Sequence, residues 1–223
     1  MSTVLITGAN RGIGLEFCKQ YGERGDEVIA VCRKPSDELQ SLGVRIEKGI
    51  DVTDPDSVHE LAKRLEGTSI DVLINNAGVL QRQTLGQIDG KAVESMLLQY
   101  RTNAIGPLLV TQALLPNLAE GSRVGIVSSR VGSVEDNGSG GSYGYRMSKS
   151  AANMAGKSLS VDLAGRGIAV ALLHPGFVKT EMTGNQGHIE ADEAAAGLIQ
   201  RMDELTLEKS GHFWHSNGEE LPW

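Results

Sequence analysis

The sequence predicts an α/β fold: a doubly wound parallel sheet of about seven strands with helices on both faces. Three observations point there. Short apolar runs alternate with helix-length amphipathic stretches through most of the chain, as successive βαβ units require. Several of those runs, among them Val72–Asn75 and Ile168–His174, are almost unbroken Val, Ile, Leu and Ala, as strands buried on both faces are. The first run, Val4–Thr7, leads through three closely spaced glycines into a helix-like segment.

The expected strands are Val4–Thr7, Glu27–Cys32, Val44–Glu47, Val72–Asn75, Val124–Ser128, Ile168–His174 and a short last one near His212–Trp214. Helices are expected at Gly14–Arg24, Ser36–Leu42, Asp56–Leu65, Lys91–Leu118, Tyr143–Gly165 and Ala191–Leu205. Asp54-Pro55 supplies a cap and a first-turn proline to the third of these. No repeat and no long linker interrupts the pattern, so residues 1–223 read as one domain. The glycine- and serine-rich stretch Val131–Ser142 reads as a flexible loop.

Composition narrows the function. With 21 basic and 28 acidic side chains the net charge is −7, which disfavours nucleic-acid binding. No apolar run is long enough to span a bilayer and the N-terminus lacks a signal-peptide pattern, so no membrane partner and a cytoplasmic location are expected. Cys18 and Cys32 make no disulfide framework and read as reduced packing residues. No metal site is expected.

The loop Thr7-Gly8-Ala9-Asn10-Arg11-Gly12-Ile13-Gly14 joins a strand to a helix start, where unsatisfied N–H groups and the helix dipole make an anion site. It lacks the terminal Gly-Lys-Ser/Thr of a P-loop, which leaves a dinucleotide loop or a turn that simply packs a helix tightly. The second strand decides the cofactor. It ends Cys32-Arg33-Lys34, without a carboxylate for a ribose 2′-OH, and Arg11 projects toward the same region. These cations favour NADP(H) over NAD(H), against the alternative of a solvated strand exit.

Tyr145 and Lys149 lie one helical turn apart, and an ammonium beside a phenol is expected to lower the phenol's pKa. Ser128 and Ser129 end the preceding strand, where open parallel sheets place ligands. Taken together, the motifs resemble those of the short-chain dehydrogenase/reductase family, a Rossmann-type fold, over nearly the whole chain. The glycine loop resembles that family's cofactor loop, with Gly8, Asn10, Arg11, Gly12, Ile13 and Gly14 as contacts. Asp51-Val52 resembles the pair that meets adenine, Asn75-Asn76-Ala77-Gly78 the motif after the fourth strand, and Tyr145 with Lys149 the Tyr-x-x-x-Lys pair. Pro175-Gly176, with Val178 and Thr180, resembles the segment over the nicotinamide.

The resemblance implies cofactor contacts from Asn75, Ala77, Gly78, Tyr145 and Lys149 as well as Arg33. It also implies a catalytic set of Asn103, Ser129, Tyr145 and Lys149, with the second serine in the hydroxyl role and a proton-relay water on the Asn103 backbone. The tail, Gly211–Trp214 and Gly218–Trp223, is similar to that of carbonyl reductases of the sniffer and C-factor type. The implied activity is NADPH-dependent reduction of a small aldehyde or ketone, with a carbonyl or alcohol compound as small-molecule partner. A homodimer or homotetramer is expected across Lys91–Leu118 and Tyr143–Gly165, where Ala151, Ala152, Ala155 and Gly156 permit close approach. The alternative is an NADP(H)-binding signalling protein of C-factor type without significant turnover.

Overall fold

Seven strands, β1 (Thr3–Thr7), β2 (Glu27–Cys32), β3 (Arg45–Lys48), β4 (Val72–Asn75), β5 (Arg123–Val127), β6 (Ala169–His174) and β7 (His212–His215), form one sheet in the computed structural model, which describes residues 1–223. Their order is β3-β2-β1-β4-β5-β6-β7 and every neighbouring pair is parallel. Chain order reverses between β1 and β4. The loops leaving the carboxyl ends of those two strands therefore diverge and open a crevice.

Helices α1 (Gly12–Glu23) and α7 (Ala191–Asp203) cover one face of the sheet. Their Leu15, Phe17, Leu198 and Met202 join the core made by Val4, Ile6, Ala171 and Leu173. On the other face, α3 (Pro55–Arg64) and α5 (Gly106–Ala113) bring Val58, Leu61 and Val110 onto Leu5, Leu73 and Val124. Short α2 (Asp37–Ser41) starts at a Ser36 cap and buries Leu39. Asp54 caps α3 by accepting from the Asp56 N–H, with Pro55 in the first turn, as its sequence implies. At the edge, Phe213 of β7 packs with Leu172 and Leu221, and Trp223 stacks on it at 5.9 Å.

The single helix expected over Lys91–Leu118 is broken. α4 (Gly90–Tyr100) gives way to a π-helical turn at Arg101–Ile105 before α5, and Leu115–Asn117 is a 3₁₀ turn. The Gly106 N–H reaches back five residues to the Arg101 carbonyl. The causes are local. Pro107 has no N–H to donate to Asn103, the Thr102 hydroxyl takes the Leu98 carbonyl at 2.9 Å, and Gly106 presses so closely on Val52 that a Cβ would lie 3.1 Å from its Cγ2.

Helix α6 (Tyr143–Ala164) packs along α4 and over β6. Of its small residues, Ala152 and Gly156 pack inward, where a Cβ on Gly156 would meet Leu172 at 3.0 Å, while Ala151 and Ala155 are half-buried. The outward stripe is Met147, Met154 and Val161, spaced by seven and 54%, 68% and 68% exposed. The Val131–Ser142 loop, expected to be flexible, is pinned by Arg146, which donates to the Val131 and Gly140 carbonyls and to the Ser139 hydroxyl.

Candidate active site

The three glycines of the first loop are explained by what surrounds them. A Cβ on Gly14 would stand 2.2 Å from the Gly8 carbonyl oxygen and 2.6 Å from Asn76 Nδ2, and one on Gly8 would stand 2.8 Å from Ala77 Cα. Gly8 and Gly12 also have φ of +66° and +54°, where a side chain is strained. The loop folds back on the end of β4 through a compact set of bonds. Asn76 Nδ2 donates to the Thr7 and Gly8 carbonyls at 3.0 and 3.1 Å, while the Thr7 hydroxyl accepts the Asn76 and Ala77 N–H groups, both at 3.1 Å. No side chain caps the first turn of α1 and none of its residues is acidic, so its N–H groups face the crevice.

The crevice has a volume of about 460 Å³. Gly8, Asn10, Arg11, Gly12, Ile13, Gly14, Arg33, Asp51, Val52, Ala77, Gly78 and Thr180 all line it. Asn75 does not: its side chain is buried and donates to the Thr111 hydroxyl at 3.1 Å. Asn76 lines the crevice instead. Successive side chains at a strand end point to opposite faces, and that parity is the signal by which the second asparagine could have been chosen. The walls also include Val31, Ile50, Thr53, Val79, Leu98 and Thr102, none of which the motifs mark.

Two charged positions differ from expectation. Arg11 is ion-paired with Glu181 of the Gly176–Glu190 segment, and Lys34 does not line the crevice. Arg33 remains there beside Asp51. Burial acts to raise the Asp51 carboxyl, but bonds from the Thr53 N–H and hydroxyl, at 2.9 and 2.8 Å, and the Arg33 charge hold it below the usual carboxylate range.

Asn103, Ser129, Tyr145 and Lys149 are not among the residues that line the crevice; Asn103 and Lys149 lie directly behind its Gly78 wall. Ser129 lies close enough to Tyr145 to influence its phenol, whereas Ser128 turns inward and donates to Asn153 at 2.5 Å. Of the two competing serines, Ser129 is the one beside the tyrosine. Lys149 is 4% exposed, its Nζ donates to the Val127 carbonyl at 2.7 Å, and the ammonium lies 5.7 Å from the Tyr145 ring centre. It also borders the crevice, 3.8 Å from where a Gly78 Cβ would be.

The sequence argument expects the lysine to draw the phenol pKa down. The structure reverses the direction. Burial is the largest influence and pushes Tyr145 up to about 12, with the nearby Ser129 hydroxyl opposing it, while burial brings Lys149 down to about 8. The ammonium is directed at a backbone carbonyl rather than at the phenol oxygen, so it does not overcome desolvation.

Asn103 anchors the site from the π-turn. Its Oδ1 accepts the Val79 N–H at 2.8 Å, and its Nδ2 donates to the Val79 carbonyl and the Ser148 hydroxyl, both at 2.9 Å. Ser148 in turn donates to the Tyr145 carbonyl at 2.7 Å. Pro175, Gly176 and Val178 lie outside the crevice lining. Gly176 has φ of +94° and packs against His215 and Ile189, the Ser216 hydroxyl donates to the Pro175 carbonyl, and Val178 bridges to Ile189. His174 is buried and held neutral, its pKa pushed down to about 3 by burial and by His215, Arg130 and Lys149.

These residues fit a dinucleotide. The glycine cradle and uncapped helix start suit a pyrophosphate, Asp51 and Val52 suit an adenosine, and Lys149 below Gly78 borders the far end. A crevice of this plan at a switch point, with an ammonium behind its Gly78 wall, is that of a nicotinamide-dependent oxidoreductase. The chain belongs to the short-chain dehydrogenase family, whose model matches residues 2–191.

Particular relatives sharpen the placement. A 1-hydroxy-2-glutathionyl-2-methyl-3-butene dehydrogenase of Rhodococcus sp. (strain AD45) is 44% identical over the whole of both chains. The C-signal of Myxococcus xanthus is 45% identical over 69% of this chain and 93% of its own. Among solved structures, the NADPH-bound carbonyl reductase from chicken fatty liver superimposes with a TM-score of 0.89 at 33% identity, covering 100% of this chain and 99% of its own.

Replacing Asn76 by Ala removes the two side-chain bonds, of the four, that close the loop on β4. Its expected cost is about 1–3 kcal/mol in urea unfolding, with weaker NADPH binding in a fluorescence titration. Unchanged affinity would separate this clamp from the cofactor site.

Proposed function

We propose that the protein reduces a small aldehyde or ketone with NADPH, with Tyr145 as the proton donor. The observation that carries this reading is the grouping of Ser129, Tyr145 and Lys149, with the Lys149 ammonium directly behind Gly78 in the wall of a crevice that also holds the glycine cradle. The bound cofactor supplies the hydride that reduces the carbonyl carbon. Tyr145 gives its hydroxyl proton to the carbonyl oxygen, which becomes the alcohol. A phenol pushed up to about 12 is fully protonated at neutral pH, as a donor must be. The Ser129 hydroxyl donates to the same oxygen and stabilises its developing charge. Lys149, with its ammonium beside Gly78, holds the sugar next to the nicotinamide and keeps positive charge under the reacting oxygen.

The signalling alternative has less support, since a protein that only senses the cofactor has no use for the serine, tyrosine and lysine together. The Rhodococcus relative favours a second substrate arm, oxidation of a glutathione-conjugated alcohol. The Met147, Met154 and Val161 stripe, beside the exposed Val93, Leu97 and Tyr100 of α4, fits an isologous contact with a second copy.

The decisive assay is a panel of aldehydes, ketones, quinones and glutathione-conjugated alcohols followed by NADPH absorbance. Tyr145→Phe is expected to lose about 10²- to 10⁴-fold in turnover while binding NADPH as the parent does. Retention of most activity would remove Tyr145 from the mechanism. Arg33→Ala is expected to lower kcat/KM with NADPH about tenfold or more and to leave the NADH value nearly unchanged, in steady-state kinetics with each cofactor. Equal losses with both would assign Arg33 to general binding. For the second copy, sedimentation of the parent should give a dimer or tetramer that Met154→Glu dissociates; a monomeric parent would sink the contact.

A further inference from the structure

The first turn of α6, which presents Tyr145, is capped from a distant loop. Ser142, directly before the helix, has φ of 44° and ψ of 45°, in the left-handed region, and its hydroxyl makes no cap. A non-glycine residue persists there only when its surroundings impose the conformation. Gln83, in the segment between β4 and α4, imposes it. Its backbone carbonyl accepts the Ser142 N–H at 2.9 Å, and its side-chain Oε1 accepts the Gly144 N–H at 2.9 Å. That second donor is the one an N-cap side chain ordinarily satisfies.

Gln83 is itself held. It is 7% exposed, and its Nε2 donates to the Ser95 hydroxyl of α4 at 3.1 Å, which in turn donates to Gln81 Oε1. Gln99, fully buried, accepts the Gln81 N–H at 2.9 Å. The fit against α6 is tight: a Cβ on Gly144 would lie 2.7 Å from Gln99 Nε2 and 2.8 Å from Met96 Cγ. The amides of Gln83 and Gln99 thus fix the height and rotation of a turn whose next residue is Tyr145.

We propose that Gln83 is a positioning residue for Tyr145, setting the phenol against Ser129 and the substrate oxygen through its amide cap on α6. The inference rests on the reductase reading given above. Nothing in the mechanism otherwise employs a buried glutamine on this loop. A misplacement of the phenol by a fraction of an ångström lowers the rate of proton donation without disturbing a cofactor held by the glycine cradle.

The test compares Gln83→Met, which keeps the shape and loses the acceptor, with Gln83→Glu, which keeps the acceptor. Expected for Gln83→Met is a fall of about tenfold or more in kcat, with the NADPH Kd and the substrate KM within about threefold of the parent. Amide exchange at Gly144 should quicken by about tenfold, and Gln83→Glu should recover most of both losses. The proposal is overturned if Gln83→Met keeps the parental kcat, if Gln83→Glu is as impaired as Gln83→Met, or if Gly144 exchange is unchanged. Failure of the reductase reading is distinct. It appears as a parent enzyme inactive on every compound of the panel, and Gly144 exchange in Gln83→Met then still decides whether the cap exists.

Discussion

The structure depends on the closure of the first loop onto the end of β4. Four hydrogen bonds link Thr7-Gly8 to Asn76-Ala77 across the switch point, and these are available only because Gly8 and Gly14 carry no side chains. The constraint is geometric before it is chemical. A single methyl at Gly14 would occupy the space of the Gly8 carbonyl and the Asn76 amide together. With the loop drawn in, the first turn of α1 is aimed along the crevice, and its uncapped N–H groups become the positive end of an anion site. The negative net charge of the chain makes that local field the more important, since attraction from the rest of the surface is lacking.

A second closure sets the reactive end. The π-turn at Arg101–Ile105 rotates Asn103 so that one amide spans Val79, beside the crevice, and Ser148, on α6. Regular helix would place that residue elsewhere on the cylinder. The cost of the irregular turn is shared by Pro107, which cannot supply the missing α-helical bond in any case, and by Gly106, which has no side chain to collide with Val52. Sequence and irregularity therefore agree.

Much of this was legible in the residues. All seven strands lie within one or two residues of their expected spans, and the central ones were the plainest, because a strand buried on both faces tolerates little but apolar residues. The glycine loop and the Tyr145 and Lys149 spacing were equally open to reading, since each is a short-range pattern, whereas the choice of Ser129 over Ser128 came from the family resemblance. The rest depends on contacts far apart in sequence. The pairing of Arg11 with Glu181, 170 residues further on, has no local signature. The inward turn of Ala152 and Gly156 is a matter of helix rotation, which small residues alone leave undetermined because they suit a sheet as well as a second subunit.

The pKa of Tyr145 illustrates the same limit in electrostatics. Spacing brings a phenol and an ammonium to one helical face, but it does not say how far water is excluded or where the ammonium is directed. Burial moves both groups toward their neutral forms: the phenol upward and the lysine downward. A base catalyst would be weakened by this arrangement, because the phenolate is the form being penalised. An acid catalyst keeps its proton until a partner that carries negative charge arrives, and only then does the Ser129 hydroxyl share the load. The burial that contradicts the expected acidification of Tyr145 is thus consistent with a phenol that donates its proton rather than accepts one.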